Sequence, residues 1–292
     1  MIDEKLEKVI NRINEVYHLE RNEALRSIKT TEFYKVLIDE TTKFAERDPE
    51  ELFSIYQEEI ETGHLIFLRR ETMKKLHIPI LVIIACIVMG IVDAVIQPGY
   101  AIKSAIKIIM FLLIPIVYGL FLKEFNITKL IKPDKKGFCI ALCLGCAVYA
   151  VVLGAYWIFK DVFDFSALTT SLNETTGVNK SNFLWVAIYI SFVNSLLEEF
   201  FFRGFSFIAL KKLTSRRFAY VFSSMAFALY HIAMMIGWFG LPVILISLAG
   251  LFAGGMIFNS FDEKNENIYL SWLVHMFANF ATNTIGFILF AS

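Results

Sequence analysis

The sequence predicts an all-α protein: a polytopic membrane helix bundle of about seven spans, preceded by an N-terminal soluble helical segment. Three observations lead there. Hydrophobic residues make up 57% of the chain, above the roughly 45–50% of a soluble domain. The excess lies in long apolar runs after residue 77, and a helix needs about 20 such residues to cross a bilayer. Residues 1–75 hold 30 of the chain's 56 charged side chains. That break divides a charged helical segment, 1–75, from a transmembrane helical domain, 77–292. The formal net charge is zero, which argues against a nucleic-acid partner, since that would need a basic surface.

In the charged segment, Ile2, Leu6, Val9, Ile10, Ile13 and Val16 recur at three- and four-residue steps, the apolar stripe of a helix. A second helix is expected over 33–46, with Phe33, Val36, Leu37 and Phe44 facing inward. Asp48-Pro49-Glu50-Glu51 marks a helix start: Asp as N-cap, Pro in the first turn, acids at the positive dipole end. Leu52, Ile55, Tyr56 and Ile60 continue that helix. The segment begins MIDEKLEKVI, with no apolar stretch behind a basic start, so a cleaved signal peptide is not expected. It reads as a small helical appendage, and a cytoplasmic partner for it stays open.

Expected spans are 77–97, 101–122, 138–159, 183–210, 217–237, 241–260 and 268–291. Lysine and arginine set their orientation. Arg69, Arg70, Lys74 and Lys75 precede the first span; Lys123, Lys129, Lys132, Lys135 and Lys136 follow the second; Lys211, Lys212, Arg216 and Arg217 follow the fourth. All fall on one side if the N-terminus is cytoplasmic, as the positive-inside rule requires. The acidic loop 261–267, FDEKNEN, is an exception. The chain thus reads as a multi-pass integral membrane protein, of the plasma membrane if prokaryotic. Lys103 and Lys107 blur the start of the second span, and Asp93 reads as a lone interfacial acid. Gly250 and Gly254 have the small-xxx-small spacing of close helix contact. Cys143 and Cys146 have a CxxC spacing, but all four cysteines sit in apolar segments, where Cys serves as a small hydrophobe.

Charged groups inside spans cost about 2.5–3.5 kcal/mol each on insertion scales, so they mark function or a partner. The fourth span carries Glu198, Glu199 and Arg203; the fifth, His231; the seventh, His275, Asn279 and Asn283. Adjacent helical residues point about 100° apart. Glu199 and Arg203, four apart with the acid first, can pair along the helix. Glu198 then points with Asn194 and lacks a local cation, which makes it the candidate for accepting and returning a proton. The alternative is that all three glue helices together. At 1.5 Å per residue from the cytoplasmic ends, Glu198, His231 and His275 lie about 18, 21 and 10 Å deep. They are expected to meet in the middle or cytoplasmic half, in a cavity open to the cytoplasm.

Together these residues resemble the CPBP family of intramembrane proteases, which includes the type II CAAX prenyl endopeptidases and the bacterial Abi proteins. Its EExxxR motif stands as Glu198-Glu199-Phe200-Phe201-Phe202-Arg203, its FxxxH as Phe227-Ala228-Leu229-Tyr230-His231, and its HxxxN as His275-Met276-Phe277-Ala278-Asn279. The resemblance covers 180–292 and implies peptide-bond hydrolysis in the membrane. By it, Glu198 and His231 would activate water, His275 and Asn279 would stabilise the oxyanion, and Glu199 and Arg203 would hold the site together. The substrate would be a membrane-embedded or lipidated peptide. The family is called a metalloprotease family. Glu198, His231 and His275 could ligate Zn²⁺, but the sequence has no HExxH helix, and metal-independent water activation is preferred. A non-catalytic scaffold or peptide-immunity protein of the same fold is the alternative; a transporter ranks last, since no inverted repeat is visible.

Overall fold

The computed structural model describes residues 2–39, 44–121, 127–133, 135–162, 166–236 and 239–291. Among these the chain is helical, with no strand. It divides into two compact units, Met1–Leu76 and His77–Ser292.

In the first unit α1 (Ile2–Tyr17), α2 (Arg21–Lys29), α3 (Glu32–Leu37) and α4 (Pro49–Thr62) enclose a core of Val9, Ile10, Ile13, Ile28, Phe33 and Leu52, with other apolar residues. Asp48 caps α4 by accepting from the Glu50 amide at 2.9 Å, with Pro49 in the first turn. The helix expected over 33–46 is shorter. It ends at Leu37, and Phe44 is held instead by a 3₁₀ turn, Phe44–Glu46; positions 40–43 lie outside the described residues. Glu59 supplies a contact the local pattern did not suggest. Its buried carboxylate accepts from the Glu32 and Phe33 amides at 2.7 and 2.8 Å, satisfying the open N-terminus of α3.

Among the described residues seven helices are long and apolar enough to span a membrane: Lys75–Ile96, Tyr100–Leu120, Lys135–Phe159, Phe183–Leu213, Arg216–Met235, Leu241–Glu263 and Tyr269–Ala291. Their ends lie within three residues of those expected. The seventh span packs along the third, and the fifth packs against the fourth and sixth. Val151, Ile158 and Ile246 are exposed, as lipid-facing side chains are. The core is aromatic. Phe111 of the second span stacks on Phe201 with centroids 4.1 Å apart, and Phe202 meets Phe227 at 5.3 Å. Phe200, Phe201, Phe202 and Phe205 are all buried there.

The close approach expected at Gly250 and Gly254 does not occur at those positions, where an added methyl would meet open space. It occurs at Gly255, where a Cβ would come 3.0 Å from the Ser224 backbone of the fifth span. Asn259, one turn on, is buried on the same face and donates to Ser224 Oγ at 3.2 Å.

Several spans contain π-helical stretches: Val92–Ile96, Ile109–Leu113, Ile190–Asn194 and Glu199–Ala209. Such turns shift side-chain phase and gather at functional sites. In the fourth span two of them flank a single α turn, Ser195–Glu198.

Candidate active site

The two adjacent acids of the fourth span part company. Glu198 faces a cavity of about 400 Å³, and Glu199 faces the seventh span. Both are buried. Glu199 Oε1 lies 2.7 Å from His275 Nδ1, and its Oε2 lies 3.3 Å from Arg203 Nε. The expected ion pair along the helix is therefore formed. Arg203 is fully buried, with its guanidinium 4.0 Å from the Phe227 ring centroid and 5.1 Å from that of Phe258. The pair is thus set among aromatic faces, where cation–π attraction adds to the charge contact.

Glu198 is not without a cation. Lys107 of the second span, also buried, donates from Nζ to Glu198 Oε1 at 2.6 Å and to Asn194 Oδ1 at 2.5 Å. Asn194 Nδ2 donates to the same Oε1 at 3.1 Å. Lys107 does more than blur the start of the second span; it is the partner of the central acid. The available signal was a lysine inside an apolar span, which requires an anion or a path to water. Asp93 is also not alone, since its carboxylate pairs with Lys103 at 2.6 Å. Lys103 and Lys107 therefore carry two ion pairs one turn apart on the cavity wall.

With Oε1 committed, Glu198 Oε2 faces two imidazoles: His231 Nε2 at 3.8 Å and His275 Nε2 at 3.7 Å. The Nδ1 partners define what each ring offers. His231 ends the helix Arg216–Tyr230, and its Nδ1 lies 2.7 Å from the Phe227 carbonyl, so Nδ1 carries the hydrogen and Nε2 is a free acceptor. His275 Nδ1 donates to a carboxylate, which allows that ring to hold protons on both nitrogens. Asn279 lines the cavity and donates from Nδ2 to the Ile190 carbonyl at 3.0 Å. Asn283 donates to the Ala187 carbonyl at 3.1 Å and to Ser191 Oγ at 3.0 Å. These amides brace the irregular Ile190–Asn194 turn against the seventh span.

The three candidate metal ligands converge, yet among the described residues no three His, Cys, Asp or Glu side chains form a group that could hold a metal ion. The chemistry agrees, because a dication would share the Glu198 carboxylate with the Lys107 ammonium at 2.6 Å. The donor set does not fit a metal centre, and the metalloprotease designation gains no support. The four cysteines are free thiols.

The cavity also lies elsewhere than expected. Its lining comes from the end of the first span, the start of the second, the first half of the fourth, the end of the fifth and the seventh from His275 onward, together with the Ser166–Thr176 helix. That is the end opposite the lysine-rich loops.

Residues 180–281 match the sequence model of the family described as Type II CAAX prenyl endopeptidase Rce1-like. They form a domain of that family. The matched segment holds all three motifs and ends two residues after Asn279; Lys107 lies outside it. Comparison with curated proteins and with solved structures finds no match. The Rce1-like domain suggests an intramembrane protease acting on a prenylated or membrane peptide, and the seven spans suggest a multi-pass membrane protein.

Proposed function

We propose that the protein is an intramembrane endopeptidase that hydrolyses a peptide bond in a membrane-associated or lipidated peptide. The observation that carries this reading is the convergence of Glu198 Oε2 with Nε2 of both His231 and His275 at the head of a cavity. Lys107 and Asn194 occupy Oε1 and keep Glu198 an acceptor. A water between Oε2 and His231 Nε2 gives up a proton to one of them as its oxygen bonds to the scissile carbonyl carbon. General-base assistance of this kind contributes about 10²–10⁴-fold. The carbonyl oxygen takes the negative charge. His275, held by Glu199 at Nδ1, donates to it from Nε2. Asn279 donates with the amide hydrogen not engaged by Ile190, since its amide has two. One such donor is worth about 10²–10³-fold. When the C–N bond breaks, the stored proton passes to the leaving nitrogen.

Cleavage of a pool of membrane peptides by the purified full-length protein in liposomes, followed by mass spectrometry, tests this. Glu198→Gln keeps the shape and an oxygen for Lys107 to bond, but loses the base. We expect cleavage to fall by at least about 10²-fold while the protein stays monodisperse. Equal cleavage by both proteins overturns the reading. Full retention of the protein's biological effect in the variant would favour the scaffold or peptide-immunity role.

A further inference from the structure

We propose that the cavity is entered from the extracytoplasmic face, so that the substrate is an extended peptide segment presented at that face and not a cytosolic lipidated C-terminus. The substrate half of this inference rests on the endopeptidase reading; the sidedness does not. Three independent observations support it.

The first is where the cavity reaches solvent. Gln97 after the first span, Ile236 after the fifth and Thr282 in the middle third of the seventh line it and are exposed. Leu172, Thr175 and Thr176 of the Ser166–Thr176 helix lie over the same end. The second is charge. The connections at this end, 97–99, 160–182 and 236–240, contain two basic residues, Lys160 and Lys180, whereas those at the other end carry the lysine and arginine clusters. Basic loops stay in the cytoplasm, which makes the cavity end extracytoplasmic.

The third observation is that the basic end is laced shut. Lys211 and Arg216 pair with Glu263 at 3.5 and 2.6 Å; Lys129 and Lys212 pair with Glu266 at 2.9 and 3.5 Å. The Ile268 amide donates to the Leu130 carbonyl at 2.7 Å, and Asn267 Nδ2 to the Lys132 carbonyl at 2.7 Å. The acidic loop that broke the charge pattern thus ties two basic connections together. The packed rings of Phe111, Phe201 and Phe202 are buried between that end and Glu198. A volume of about 400 Å³ is in the range of ligand pockets and admits a few residues of unwound peptide.

Cysteine accessibility decides the sidedness without any substrate. In the full chain with Cys86, Cys139, Cys143 and Cys146 replaced by alanine, single Thr176→Cys, Thr282→Cys and Lys132→Cys variants are treated in intact cells with a membrane-impermeant maleimide, before and after permeabilisation. We expect Thr176→Cys and Thr282→Cys to label in intact cells and Lys132→Cys only afterwards. Labelling of both cavity positions only after permeabilisation overturns the proposal. Cavity positions and Lys132→Cys labelling together from one side overturns it equally. A peptide cleaved in permeabilised membranes is then offered to intact cells in a form that cannot cross the bilayer. Cleavage there supports the substrate class, and cleavage confined to permeabilised cells overturns it. Absence of cleavage in every preparation counts against the endopeptidase reading alone.

Discussion

A carboxylate and an ammonium buried 2.6 Å apart compensate each other for hydration that neither could forgo alone. Lys107 therefore does two things for Glu198. It makes the ionised acid tolerable inside the bundle, and by taking Oε1 it leaves Oε2 aimed at the imidazoles. Removing one partner of such a pair costs about 3–5 kcal/mol, because the other charge is stranded, whereas replacing both is often neutral. Lys107→Met is expected to lower the melting temperature in detergent by several degrees. Adding Glu198→Gln to it should restore most of the loss. The coupling between the two sites should exceed about 1 kcal/mol, within the range for contacting residues. A double variant whose destabilisation is simply the two single effects added would show that the pair carries no such burden.

At the scale of elements, helix phase decides which residues meet. Gly255 and Asn259 share one face of the sixth span and meet Ser224, while Gly250 and Gly254 point into open space. Gly255→Ala forces the fifth and sixth spans apart, at a cost of about 1–3 kcal/mol for overpacking. Gly254→Ala should leave thermal stability within error of the parent. Equal effects of the two would contradict the assigned face. The same phase argument separates what was legible in the sequence from what was not. Span length and count could be read because an apolar run of the right size has few other uses. The Glu199–Arg203 pair could be read because it lies within one helix. Lys107 and Glu198 are 91 residues apart, and no local spacing reports a contact between spans. The spacing of Gly250 and Gly254 does not mark the packed face, whereas Asn259, a polar residue needing a partner, does. The π turns have no local signature, yet they flank the one α turn that carries Glu198.

For the membrane unit as a whole, charge is distributed by end. One end has lysines from two connections gathered on Glu263 and Glu266; the other has the cavity. An end bound in this way resists separation of the spans there, which leaves movement for peptide entry to the end without such ties. Glu266 makes the binding testable through pH. Its hydrogen bond from Lys129, with a further contribution from Lys212, holds its carboxyl below the usual 4.5. The folded protein thus binds protons there less readily than the unfolded chain. The resulting stability is fully present above the unfolded pKa and is lost as pH falls through the folded one. The carboxylate is partly exposed, so the contribution is at most about 1 kcal/mol. Glu266→Gln should therefore melt below the parent at neutral pH, and the gap should close progressively as the pH is taken below 4.5. Paired thermal melts across that range measure it. A gap that widened toward acid would mean that Glu266 is better accommodated protonated, and the lacing of this end would have to be sought in Glu263 and the backbone bond from Ile268 to Leu130 alone.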